Sequence, residues 1–174
     1  MDLGSSGSED SKSFVKLKDK ESVRGVFRGD VHKFRQHWVG MKSEVCTGTA
    51  DCPGCKAQPN KKPAFRFRLN MVVKEGEGYV AKIFEGGWTT FEQLIEINKE
   101  IPLENHLVKI SRSGTGMDTT YTVIALPNGT VTPEQEAKLK QVTLLDLRPG
   151  VENKPEAASP DQAPFTEDDS DIPF

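Results

Sequence analysis

The sequence predicts an all-β domain with minor helix, folded as a small five-stranded barrel. Three observations carry that expectation: short runs with period-two alternation, turn residues spaced between them, and one convincing helix set among the later strands. The elements follow in order. FVKLK (Phe14 to Lys18) alternates, and ESVRGVFRGD (Glu21 to Asp30) is a second run bounded by turn residues. KFRQHWV then places Phe34, Gln36 and Trp38 on one face and Arg35, His37 and Val39 on the other. A loop rich in Cys, Gly and Pro runs from Gly40 to Pro63.

The cleanest strand is AFRFRLNMVV (Ala64 to Val73), with Phe65, Phe67, Leu69 and Met71 opposite Arg66, Arg68 and Asn70. EGEG (Glu75 to Gly78) is a hairpin turn, and YVAKIFE (Tyr79 to Glu85) returns from it. Thr89 and Thr90 precede Glu92 and Gln93 at capping-box spacing, so a helix is expected there, with Phe91, Leu94 and Ile95 on its apolar face and Pro102 beyond its end. LVKISRS (Leu107 to Ser113) and TTYTVIAL (Thr119 to Leu126) form a last strand pair across GTGMD. Thr132, Pro133 and Gln135 mark the start of a second short helix. Strand, long loop, strand, hairpin, strand, helix, strand, loop, strand is the order of an OB-type barrel, whose loops after strands one and four flank a nucleic-acid face. Here those loops are the Cys-rich segment and Gly114 to Asp118.

At 174 residues the chain has room for one domain with extensions. Residues 1–13 are small and polar and are expected to be disordered; 14–148 form the domain, including a zinc loop at 37–62; 149–174 form a disordered acidic tail. From Val151 to Phe174 there are seven acidic residues against Lys154 alone, a net charge of −6, which leaves +3 on the body. A basic body with an acidic tail suits a protein that handles nucleic acid. No apolar run is long enough to span a bilayer and the N-terminus has no signal core, so the cytoplasm is the expected compartment.

Cys52-Pro53-Gly54-Cys55 is a C-x-x-C knuckle, and Cys46 lies six residues upstream. Three thiols with one imidazole suit tetrahedral zinc; His37 is the first choice for the fourth ligand and His32 the second. Four protein donors leave no open position, so the single Zn2+ is expected to be structural. The plainer readings are a surface thiol cluster or a redox pair, and the latter wants a strand-to-helix junction that Pro and Gly disfavour. For single-stranded DNA, a basic groove with stacking rings is required. The candidates are Arg28, Arg35, Trp38, Lys62, Arg66, Arg68, Trp88, Lys109, Arg112 and Tyr121, against the plain alternative that alternating Arg marks a solvated face. No Walker, H-E-x-x-H or G-x-S-x-G motif occurs, so no catalytic residues and no enzyme are expected.

The chain ends EDDSDIPF. This resembles the acidic tip of bacterial single-stranded DNA-binding proteins, the match covering Asp168, Asp169, Asp171, Ile172, Pro173 and Phe174 with Ser170 interrupting the run. FRQHWV, the spaced Cys46, Cys52 and Cys55, FRFRLN and SRSGTGMDTTYTV resemble phage-type single-stranded DNA-binding proteins, the T-even phage helix-destabilising protein among them. The resemblance implies His37 as the zinc ligand, and a role in coating unwound strands during phage replication, recombination and repair in the bacterial host cytoplasm. It also implies recruitment of replication and recombination proteins through the tip. The chain departs from the T-even pattern in a shorter zinc loop, a host-type tip and no basic N-terminal arm. The rival readings are a zinc-containing interaction adaptor that binds no DNA, and a metal-dependent nuclease built around Asp118.

Overall fold

An 18-residue strand, β1 (Ser22–Val39), runs the length of the domain. One edge pairs antiparallel with β3 (Ala64–Glu75). The other edge changes partner along its length, taking β5 (His106–Ser113) at Ser22 to Gly25 and β2 (Lys42–Val45) at Gln36 to Val39. The pairing with β3 slips between Arg28 and His32. Gly29 sits in that slip at φ 75°, a conformation side chains rarely adopt. The two runs read from the sequence as Glu21–Asp30 and Lys33–Val39 are therefore one bulged strand.

β4 (Gly78–Gly86) returns from β3 across a two-residue hairpin, and β6 (Thr120–Thr130) pairs with β5. The sheet order is β4-β3-β1-β5-β6, with β2 attached to β1. This computed structural model describes residues 13–151 and Asn153. The N-terminal segment before Ser13, the acidic tail and the tip at Asp168 to Phe174 lie outside the described residues. Within them the expected fold class holds at the level of a mostly antiparallel β-sheet with short helices. The strand count is six rather than five, because the Cys-rich segment contributes β2. The sheet is open, and β4 and β6, its outermost strands, do not pair.

Both free edges are covered by other means. Gln93 on α2 (Trp88–Glu100) donates to the Tyr121 carbonyl at 3.0 Å and accepts from the Val123 N–H at 3.0 Å. On the far side the Val15 N–H donates to the Ile83 carbonyl at 2.9 Å. Such cover blunts an edge that would otherwise template pairing with another chain. Phe14 makes one isolated bridge to Ile83, so FVKLK is an edge cover rather than the strand its alternation suggested.

The alternation in β3 builds the core. Phe67 and Met71 are buried with Phe27, Phe84, Leu94, Val108, Ile110 and Val123. The opposite face is not simply solvated, because α3 (Pro133–Leu139) lays Leu139 over Val26, Val72 and Leu107. α3 starts as expected: Thr132 and Gln135 form a reciprocal capping box with Pro133 in the first turn. α2 differs, beginning at Trp88 with Gly87 as its cap and no side-chain capping bond. Thr90 lies inside that helix and is buried, so its spacing to Gln93 is not a cap. No helix among the described residues is long and apolar enough to cross a membrane.

Arg28 ties β1 to α3. Its guanidinium donates to both oxygens of Glu136 at 2.8 and 2.9 Å, and to the Glu104 carbonyl. These bonds hold the Glu136 carboxyl below the usual carboxylate range. The contribution is therefore complete above the ordinary carboxylate pKa and is lost as pH falls through the lowered value. Replacing Glu136 with Gln should cost about 1–2 kcal/mol at neutral pH in denaturant unfolding, and should flatten the loss of stability in acid.

Candidate functional site

The β1–β2 hairpin brings the metal ligands together. His37 pairs with Glu44, and the Cys46 N–H donates to the Arg35 carbonyl at 2.7 Å. On an antiparallel ribbon this sets Cys46 diagonal to His37 on one face, within reach of it. The knuckle then closes from below. α1 (Pro53–Ala57) begins at Pro53 with Cys52 as its cap, and Gln58 beyond it donates to the Trp38 carbonyl at 2.8 Å. Neither β2 nor α1 was expected from the sequence, which read the whole segment as loop.

Four ligand atoms converge. Cys46 Sγ lies 3.7 Å from Cys55 Sγ and 3.9 Å from Cys52 Sγ; His37 Nε2 lies 3.6 Å from Cys52 Sγ and 3.3 Å from Cys55 Sγ. Zinc at about 2.3 Å from sulfur and about 2.0–2.1 Å from nitrogen, in tetrahedral geometry, requires separations of about 3.8 Å for sulfur pairs and about 3.5 Å for sulfur with nitrogen. The observed set fits, and all four atoms lie within 4.8 Å of one another. These four side chains can hold one metal ion, and the donors are those of a zinc site. His32 is not among them: its ring stacks beside Phe34, the centroids 5.9 Å apart.

Backbone N–H groups of Cys55 and Thr47 hold the Cys52 thiol down to about 6. Burial, with Cys46 and Cys52 alongside, pushes Cys55 up to about 11. The Cys55 thiol thus resists ionisation beside its neighbours until a cation compensates it. Gly54 completes the enclosure: a Cβ there would fall on the His37 ring, which is itself only 2% exposed. The knuckle spacing signals the thiols, whereas this packing of glycine on imidazole was not read from the sequence.

Successive strand residues face opposite ways, so enclosing His37 turns Trp38 outward, 56% exposed. Trp38 shares its face with Gln36, Phe34 and His32 on β1, and with Arg66 and Arg68, which pair with Phe34 and His32 across the sheet. Both guanidinium groups bond one carboxylate, Glu85, which leaves the trio one positive charge in excess. Arg68 also lies between the rings of Phe14 and Phe34, 5.1 and 5.3 Å from their centroids. Val45, exposed on β2, extends this face beside Gln36.

The remaining candidates are scattered. Arg35 and Lys62 are exposed near the β1–β2 hairpin. Trp88 is 52% exposed but stands edge-on to Phe65 at 5.2 Å, on the opposite side of the sheet from Trp38. Tyr121 meets Phe84 edge-on and packs against the core, and Lys109 lies on β5. Arg112 donates to the Leu17 carbonyl at 2.6 Å and to Thr119 at 3.2 Å, and Arg28 is held by Glu136. The structure therefore gathers Trp38, Arg66 and Arg68 on one face, and gives Arg28 and Arg112 partners within the chain.

No known family model, curated protein or solved structure matches the chain.

Elemental analysis should find one zinc per chain, and none in Cys52→Ser or Cys55→Ser. Gly54→Ala should also lose the ion by displacing His37, although every ligand remains. Full zinc occupancy in all three variants would remove the assignment.

Proposed function

We propose that the protein is a non-catalytic, sequence-tolerant single-stranded DNA-binding protein with one structural zinc. The observation that carries this reading is the exposed Trp38 on a face shared with Phe34, His32, Arg66 and Arg68. A single strand needs flat rings for its bases and positive charge for its phosphates, and this face offers both within a few residues. The metal's part is mechanical. With four protein donors it has no place for water or substrate; it fixes α1 behind the hairpin so that Trp38 is presented rather than mobile.

The strand order supports an OB-type reading. Leaving β2 aside, the five long strands and α2 follow the order of that fold, which is itself a partly open Greek-key barrel binding oligonucleotides on its second and third strands and adjoining loops. Arg66, Arg68 and Glu85 lie on the equivalent strands, β3 and β4. The resemblance to phage-type and bacterial single-stranded DNA-binding proteins points the same way, and assigns the tip at Asp168 to Phe174 to the recruitment of replication and recombination proteins.

The test is a fluorescence titration with poly(dT), with duplex of equal length as control, over a salt series. Quenching by the single strand alone, weakening with salt, is the expected result. Trp38→Ala should cost about 1–3 kcal/mol, roughly fivefold to 150-fold in affinity. An unresponsive protein at low salt would leave the adaptor reading in its place. Deleting Glu167 to Phe174 should tighten binding at low salt and less so at high salt, because a tethered acidic segment competes ionically for the same cations.

A further inference from the structure

The outer face of the sheet, on which α3 lies, carries a second row of residues below that helix. Lys74 pairs with Tyr79, Arg24 with Lys109, and Lys109 with Ile124. Directly above, Val26, Val72 and Leu107 are apolar and buried under Leu139. Because alternate residues share a face, Lys74, Arg24 and Lys109 stand two positions along from Val72, Val26 and Leu107 on three neighbouring strands. They form a row of cations across the sheet.

None of the three has an ion pair among the described residues, whereas Arg28, Arg66 and Arg68 all do. Arg24 and Lys74 are exposed, and the row ends at Ile124, also exposed. Like charges directly opposite one another on a sheet are destabilising. The Arg24–Lys109 pair therefore carries a cost that no internal partner offsets. A shallow groove of about 480 Å³ runs alongside, lined by Ser22, Arg24, Lys74 and Lys82, with Glu75 occupied by Lys82 at 3.1 Å.

We propose that Lys74, Arg24 and Lys109 form a second contact surface for the sugar-phosphate backbone of single-stranded nucleic acid. This rests on the reading above that the Trp38 face binds such strands. The row has no exposed aromatic ring comparable to Trp38, so it takes phosphates rather than bases and adds affinity without sequence preference. Arg24 and Trp38 are fourteen residues apart on β1, up to about 46 Å at the rise of an extended strand. A short oligonucleotide bound at Trp38 does not reach the row, whereas a long strand meets both.

The experiment compares the full-length chain with the triple variant Arg24→Gln, Lys74→Gln, Lys109→Gln. For a single strand, every cation withdrawn from a phosphate reduces the slope of log affinity against log salt by about 0.7. The variant should therefore bind poly(dT) with a slope shallower by about 2, and bind a short thymidine oligomer as the wild type does. Its thermal midpoint should equal or exceed that of the wild type, since the like-charge repulsion is gone. Should the triple variant fold poorly, Lys74→Gln with Lys109→Gln should still show about two thirds of that slope change. An unchanged slope with poly(dT) would overturn this surface and leave the Trp38 face standing. Failure of the wild type itself to bind poly(dT) would overturn both.

Discussion

The structure hangs on β1 and the partner change along its second edge. Its first half, paired with β3 and β5, sits over the buried core. Its second half extends past β5 and keeps β3 only as far as Gln36; beyond that point its partner is β2, a four-residue strand with every residue exposed. Such a hairpin has no core of its own, and two strands alone are marginal in water. A metal ion held by the cysteine and histidine side chains gathered at this hairpin would supply what burial cannot. It would join β1 to Cys46 just past β2 and to the knuckle at α1, using one donor from each of four chain positions. The cluster of His37, Cys46, Cys52 and Cys55 thus sits where β1 outruns the sheet that stabilises it.

That dependence links metal and surface chemistry through a single backbone step. His37 and Trp38 are adjacent, and the pleat sends them to opposite faces. Whatever fixes the imidazole fixes the indole, and Gln58 reinforces the link by bonding the Trp38 carbonyl from the end of α1. Gly54 belongs to the same device, because the knuckle can approach the ring only where no side chain intervenes.

Much of this was legible in the sequence, and the limits have physical causes. C-x-x-C spacing reports two donors and Cys46 lies close enough upstream to be a third; His37 and His32 are both candidates for the fourth, and the β1–β2 pairing is what brings His37 to the thiols. The alternation in AFRFRLNMVV likewise reports the core face through Phe67 and Met71. Three features depend on distant contacts and left no local trace. Phe14 to Lys18 alternates like a strand but makes a single bridge to β4 and then leaves that edge, Val15 and Leu17 packing on the core and the Leu17 carbonyl accepting from Arg112. The Thr89–Glu92 spacing mimics a cap, yet the helix starts earlier because Gly87 follows directly from β4 and Thr90 is drawn into the interior. The segment after α3 crosses the outer face of β3, so that Asn70 is buried, both its amide groups bonded to the backbone of Leu145, where alternation alone would leave it in water.

Charge is where composition informs least. Arginine and lysine totals do not distinguish a cation that binds the protein's own carboxylates from one that faces an external anion. Arg28 bonds Glu136 in a part-buried pair, and its removal from β1 would unfasten α3 before it affected any ligand. Arg66 and Arg68 share one carboxylate, so they contribute one net charge rather than two, and the stacked ring of Phe34 limits how far Arg68 can turn. Arg24 and Lys109 stand opposite each other with no acid between them, a placement that costs stability and that a solvated surface has no reason to keep. The cations with the strongest internal bonds were the ones alternation made conspicuous, while those with no ion pair among the described residues lie on strands where only the pairing register brings them into line.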